Sequence, residues 1–279
     1  MPELPEVETI IQDLKESNLL NKKINNVKIR WAKSIATHST AEFKDELISS
    51  KIKNFRRRAK YLVFNLSRDK ILIIHLRMTG KIIFYPDNAP FKKHDRVIFH
   101  FDNGHQLRFN DTRKFGRIYL TNNPDDILGK LGPEPLDPDF TLADFKNILE
   151  GRSGMIKALL LNQSFIAGLG NIYTDEALWE AGIHPKQKAN LISTRKQKKL
   201  YTAIKHVLKK GIKNKGTSLG SGLGNYARTN QEAGNNRKFL NVYQKDGEPC
   251  PRCGKKIKKT KVSQRSSHFC SNCQRQWSK

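Results

Sequence analysis

Acidic residues are scarce in this chain. Its 279 residues carry 26 Asp and Glu against 52 Lys and Arg, a formal net charge of +26. So lopsided a balance argues against a cationic partner and for a polyanion, nucleic acid before membrane. Long apolar runs are missing as well. No stretch reaches transmembrane length and no secretory h-region opens the chain, so a cytoplasmic, nucleoid-associated protein with no membrane partner is expected. Cysteine is absent from the first 249 residues, and all four cysteines fall in the last 30. That rules out a disulfide framework spread over the chain and points to metal in a reducing compartment. Internal repeats are absent, which excludes a solenoid.

What is present begins at the N-terminus, with Met1-Pro2-Glu3-Leu4-Pro5-Glu6-Val7-Glu8-Thr9. Val7, Ile10, Ile11 and Leu14 follow at helical spacing. Pro5 is tolerated in a first turn, and the three glutamates there suit the positive end of the helix dipole. An ordinary amphipathic helix explains all of this except Pro2. If Met1 is removed, Pro2 becomes a free secondary amine, and an α-amino group titrates near about 8. A useful fraction is then an unprotonated nucleophile at neutral pH. With Glu3 and Glu6 within a turn, an amine beside a carboxyl is equipped to attack a sugar or carbonyl carbon and to pass protons.

Alternating segments around residues 24–29, a basic run Arg56-Arg57-Arg58 leading past Lys60 into Tyr61-Leu62-Val63-Phe64, an apolar strand at 71–76, and a hairpin turning at Asp102-Asn103-Gly104 make the first ~130 residues a β-sandwich or barrel behind one helix. After the Pro-rich segment beginning at Gly132 the period becomes helical, with candidate helices at 142–150, 155–161, 172–181 and 194–213. Nine Lys/Arg lie between Arg195 and Lys215. A solvated face and a phosphate-facing surface both explain them, and the total charge favours the second. Residues 215–238 are rich in Gly, Ser and Asn without periodicity, as a functional or disordered loop would be. The reading is an α+β multidomain chain: a β-sandwich at 1–131, a linker at 132–140, a helical domain at 141–240, and a cysteine-bearing segment at 241–279.

Cys250-Pro251-Arg252-Cys253 and Cys270-Ser271-Asn272-Cys273 are two CxxC knuckles sixteen residues apart. That spacing predicts a tetrahedral structural Zn2+ site with Cys250, Cys253, Cys270 and Cys273 as its ligands, all four positions filled by protein. The flanking residues from Pro249 onward include nine Lys/Arg and no Asp/Glu, the composition of a nucleic-acid contact module. Gly168-Leu169-Gly170-Asn171 before a helix permits close approach of an anion, although a plain turn explains it equally. Lys60 is either a lysine of lowered pKa or an edge lysine on a strand. Met78, Arg113 and Phe115 lie in Arg77-Met78-Thr79-Gly80 and Asp111-Thr112-Arg113-Lys114-Phe115-Gly116. Apolar wedges with an arginine can fill a hole in a base stack, and each alone is an ordinary loop residue.

These motifs, with the block at 168–185 and Gln264-Arg265, resemble the bacterial formamidopyrimidine-DNA glycosylases, repair enzymes that excise oxidised purines. The resemblance spans the chain. It implies an N-terminal β-sandwich, a helix–two-turn–helix domain and a zinc-finger hairpin, acting on double-stranded DNA with oxidised or abasic lesions, as a monomer. It implies Pro2 as the nucleophile at C1′ of a flipped nucleotide, Glu3 as general acid, Glu6 as a supporting carboxylate, and Lys60 and Arg265 as proton-transfer or phosphate-binding residues. Base loss and β,δ-elimination follow from that chemistry. His94, Arg113, Lys157 and Asn171 match DNA contacts. Met78, Arg113 and Phe115 match the side chains that fill the void. Ser153 stands where a basic DNA contact is expected, with Arg152 adjacent to substitute, and the 216–238 loop, which in the family closes over the base, aligns poorly. The endonuclease VIII-like sister family, which takes oxidised pyrimidines, typically has Gly where this chain has Leu4. A zinc-finger DNA-binding protein without chemistry explains the charge and the cysteines but not Pro2, Glu3 and Lys60 together.

Overall fold

The computed structural model describes residues 1–220 and 225–277. The chain divides into two compact units: Met1–Gly129 with Ile212–Arg237, and Lys130–Gly211 with Lys238–Lys279.

The first unit runs α1 (Leu4–Glu16), β1 (Ile24–Ile29), α2 (Thr40–Leu47), β2 (Ile52–Arg58), β3 (Tyr61–Leu66), β4 (Ile71–His75), β5 (Gly80–Pro86), β6 (Asp95–Phe101), β7 (His105–Asp111), β8 (Arg117–Thr121) and α3 (Asp125–Leu128). The strands form two antiparallel four-stranded sheets, ordered β1-β6-β7-β5 and β2-β3-β4-β8. Both line one core, in which Val7, Ile10, Ile11 and Leu14 of α1 join Phe55, Leu62, Phe64, Ile74, Val97, Phe99 and Phe109. This is a sandwich; β8 alternates buried and half-buried residues, whereas β4, β6 and β7 are buried at nearly every position. Phe55 and Phe64 face each other across β2 and β3, edge to face at 4.9 Å.

Two details differ from the sequence reading. Arg56, Arg57 and Arg58 do not lead into a strand; they are the end of β2, and Arg58 pairs with Tyr61. Lys60 therefore sits in the two-residue hairpin turn after Ala59, whose φ is +52°. Arg57 is kept there by a 2.8 Å ion pair with Glu8 of α1, so a charged strand end is neutralised where it packs. Secondly, α2 and β5 were not legible. Helix α2 buries only Phe43 and Leu47, too short a stripe to show periodicity, and its clear signal is local: Ser39 and Glu42 cap each other's backbone N–H groups.

The second unit contains α4 (Leu142–Leu149), α5 (Ile156–Leu161), α6 (Asn171–Ala181), most of α7 (Thr194–Lys213), β9 (Lys258–Val262) and β10 (Arg265–Phe269). Helix α6 is buried on nearly every side, so it carries little amphipathic pattern. It ends at Gly182, whose φ of +65° lets Ile183 N–H reach the Leu178 carbonyl at 2.9 Å, a left-handed C-cap that favours glycine. Gly211 is required for a different reason: a Cβ there would stand 2.5 Å from the Tyr173 hydroxyl. Strands β9 and β10 form a hairpin turned by Ser263 and Gln264, at φ +47° and +61°. Among the described residues no helix is long and apolar enough to cross a membrane.

Residues 221–224, inside the 216–238 loop, lie outside the described residues. The described flanks pack within the first unit. Thr217 and Asn235 form a β-bridge, and Arg228 donates to Asp13 of α1 at 2.8 Å. Phe84 N–H donates to the Thr229 carbonyl at 3.0 Å.

Candidate active site and nucleic-acid interface

The N-terminal turn is buried. Pro2, Glu3 and Glu6 are all inside the first unit, although two of them carry carboxyl groups. The Glu6 carboxylate answers that burial with backbone donors. Its Oε2 accepts the Glu3 N–H at 2.8 Å and its Oε1 accepts the Thr217 N–H at 2.8 Å. One carboxylate thus caps α1 and holds the neck of the 216–238 loop. Gly216 is tied to the same place, because at φ +79° its Cβ position lies 2.8 Å from the Tyr226 ring and 3.0 Å from Glu6 Cγ.

Lys60 is only 4% exposed, which excludes the solvated edge lysine. His75, at the end of β4, is also buried, and its Nδ1 accepts the Arg77 N–H at 3.0 Å. The neutral ring therefore carries its proton on Nε2. Burial first, then the charges of Arg77 and Lys60, push His75 down to about 3.

Met78, Arg113 and Phe115 come together as one exposed group. Arg113 Nη1 lies 3.1 Å from the Met78 sulfur, and its guanidinium stacks 4.8 Å from the Phe115 ring centre. Met78 is 41% exposed and Phe115 48%, so two large apolar side chains stand in water beside a cation. Asp111 makes this possible. It is fully buried, accepts from Thr79 Oγ1 at 2.5 Å and from Arg113 N–H at 3.2 Å, and its other oxygen accepts Gly116 N–H at 2.8 Å. His94 joins the same frame, since its carbonyl accepts the Asp111 N–H at 2.9 Å and its Nδ1 lies 3.2 Å from Arg96. Of the expected contact residues, Arg113 and His94 are thus bonded to Asp111 directly, and the neighbours of Met78 and Phe115, Thr79 and Gly116, are bonded to it as well.

In the second unit Lys157 does not reach the surface. It is 0% exposed, and its ammonium donates to Asp175 Oδ1 at 2.6 Å and to the Ser266 carbonyl at 2.8 Å. Lys157 is therefore engaged by a buried carboxylate and a backbone carbonyl. Asn171, the first residue of α6, donates through Nδ2 to the same Ser266 carbonyl at 3.0 Å. Arg265 is exposed at the start of β10. Arg152 and Ser153 are both exposed, and the Arg152 guanidinium lies 6.0 Å from the Phe165 ring centre.

The four cysteine sulfurs all lie within 4.8 Å of one another. Cys253 and Cys270 are 3.5 Å apart, Cys250 and Cys273 4.0 Å. Bonds of about 2.3 Å to a tetrahedral zinc require sulfur separations of about 3.8 Å, so this donor set fits the ion. Burial, then the neighbouring sulfurs, pushes Cys273 up to about 12, while Asn272 above all draws Cys253 down to about 6. A divalent cation among them resolves that competition by favouring every thiolate. Trp179 of α6 donates its indole N–H to Cys250 Sγ at 3.4 Å, so the cluster is bonded to the helical core. This is a structural zinc site.

Three family models match in chain order. They are the formamidopyrimidine-DNA glycosylase N-terminal domain at residues 1–118, the H2TH domain of the same enzymes at 131–223, and a zinc finger found in FPG and IleRS at 247–276. The formamidopyrimidine-DNA glycosylase of Protochlamydia amoebophila is 50% identical over 275 residues, covering 99% of this chain and all of that protein. This chain belongs to the formamidopyrimidine-DNA glycosylase family. Two solved structures of the Lactococcus lactis family member align with it. A mutant complexed with Fapy-dG-containing DNA has a TM-score of 0.91 at 37% identity, covering 99% of this chain and 100% of that one. The complex with abasic-site DNA has a TM-score of 0.90 at 37% identity, covering 98% and 100%.

Beyond the residues that link this chain to the glycosylase family, the structure adds several that sequence reasoning passed over: Asp111, His75, Asp175 and Glu176. Glu176 accepts the backbone N–H groups of Asn241, Val242 and Tyr243 at 2.8–2.9 Å. A signal existed for the last two. Adjacent acidic residues in an otherwise apolar helix are costly to bury unless bonded, so they mark anchoring points.

Proposed function

We propose that this chain is a bifunctional DNA glycosylase and abasic-site lyase of base excision repair, acting on oxidised purines such as 8-oxoguanine and formamidopyrimidines in duplex DNA. The observation that carries the reading is the buried pair of carboxyls, Glu3 and Glu6, beside Pro2 at the head of α1. A secondary amine in that setting attacks C1′ of the damaged nucleotide. The C1′–N bond breaks and the base leaves with a proton. Opening of the sugar, with Glu3 as general acid, gives the iminium on Pro2. Loss of the C2′ proton expels the 3′-phosphate, and a second elimination expels the 5′-phosphate. Lys60 and Arg265 serve these eliminations as phosphate-binding or proton-transfer groups. Glu6 supports them by holding the turn and the loop neck.

The target atoms lie inside the base stack, so the nucleotide is extruded. Met78, Arg113 and Phe115 fill the gap, and their shared exposure is what an insertion wedge needs. His94, Asn171 and Arg152 contact the DNA. Asn171 retains a second amide proton for a phosphate. The zinc ion holds the hairpin and takes no part in the chemistry. Nucleoid association follows from the charge.

The test is a labelled duplex with one 8-oxoguanine opposite cytosine, with and without borohydride. A trapped adduct and a strand bearing phosphates at both ends of the gap are expected. An adduct only on an oxidised pyrimidine would move the chain to the sister specificity. No adduct on any damaged or abasic DNA would refute the amine chemistry.

A further inference from the structure

Asp175 lies in the middle of α6 and is 1% exposed. Four polar groups converge on its carboxylate. Oδ1 accepts from Lys157 Nζ at 2.6 Å and from the Ser267 hydroxyl at 3.1 Å. Oδ2 accepts the His268 N–H at 2.9 Å and lies 3.1 Å from His268 Nδ1. Lys157 also reaches the Ser266 carbonyl at 2.8 Å, which Asn171 shares at 3.0 Å. Three consecutive residues of β10 are thus held by different atoms: Ser266 by its carbonyl, Ser267 by its hydroxyl, His268 by its N–H. Arg265 is the next residue back.

A two-stranded hairpin is marginal by itself. This one is less favoured than most. Its turn places two non-glycine residues at positive φ, and β9 carries Lys258, Lys259 and Lys261. Something outside the hairpin must fix where Arg265 stands. An ion pair with both members fully buried is also poor evidence for stability alone, because apolar replacements serve as well or better. Its directional value is in setting one geometry among several.

We infer that Asp175, paired with Lys157, is a positioning residue that aims Arg265 through the bonds to residues 266–268. This rests on the role proposed for Arg265 above. Lys157 acts here as a buried strut.

The test is single-turnover cleavage of an abasic duplex at saturating protein, for Asp175→Asn in the wild-type background and in Arg265→Ala. Zinc loading is checked in each by the visible absorption of the cobalt-substituted cysteine site. Loss of a hydrogen bond to a charged group corresponds to roughly tenfold or more, so Asp175→Asn should slow cleavage about tenfold in the wild-type background. In Arg265→Ala it should have under about twofold further effect, because residues that act through one another are not additive. Equal losses in both backgrounds would show a general structural role and overturn the inference. So would no loss in the wild-type background. If Arg265→Ala itself is silent, the reading of Arg265 falls and takes the inference with it. Ser267→Ala keeps the test open if Asp175→Asn does not fold, since it leaves the ion pair intact. It should give a loss of about threefold, again only when Arg265 is present.

Discussion

Glu6 and Thr217 are 211 residues apart in the chain, and the Thr217 N–H donates to Glu6 Oε1 at 2.8 Å. The same carboxylate accepts the Glu3 N–H, so the cap of α1 and the neck of the 216–238 loop share one group. Glu6→Gln puts an amide donor against one of these N–H groups. A buried donor left unsatisfied costs about 1–3 kcal/mol. The expected outcome is a lower melting temperature with faster amide exchange at Thr217. Unchanged exchange there would remove Glu6 from this role.

His75 makes the stability of the first unit pH-dependent. It titrates near 3 in the fold and at 6.5 when unperturbed, burial being the main cause. Between those values the unfolded chain holds one proton more than the folded one. Stability from this group is complete above about 6.5 and is lost as pH falls toward 3, by up to ~1.4 kcal/mol per pH unit. His75→Asn should flatten the stability profile by one proton over that window. Parallel profiles for the two proteins would show that His75 is protonated in the fold.

Removing zinc should unfold the hairpin of β9 and β10 and spare the two sheets. The sulfurs lie too close together to be stable as an uncompensated thiolate cluster. Chelation is expected to alter Trp179 emission, because its indole N–H is bonded to Cys250, while far-ultraviolet dichroism keeps its β-sheet signal. DNA binding should weaken in parallel. Full affinity in the metal-free protein contradicts the assignment of the hairpin to the DNA interface.

Phe115 should matter for excision and not for folding. At 48% exposure its truncation to alanine is expected to change stability by no more than about 0.5 kcal/mol. Excision from duplex should fall about tenfold, since a wedge repays the cost of unstacking, and much less from a single-stranded lesion. Equal losses on both substrates would count against a void-filling role.

Much of the site could be read from residue order, for identifiable reasons. The cysteine knuckles, the N-terminal Pro-Glu turn and helix α7 carry their signals within a few residues, by spacing or by period. The turn that buries Lys60 is not legible in the sequence, because Ala59 gives no warning of a positive φ. The burial of Lys157 is illegible for a related reason. A lysine's charge is visible in sequence, and its buried partner Asp175, eighteen residues away, is not.

The sequence alone determined the family, the zinc ligands, the excess of cations and the two secondary-structure regimes, since each depends on residue type at short spacing. Only the tertiary structure decided which charges are spent inside. It set Lys157 on Asp175, Glu6 on Thr217, and Asp111 on Thr79, Arg113 and Gly116. Those choices turn on desolvation. A buried polar group must find its partner wherever the chain returns to it, and that distance is not written in the spacing of residues.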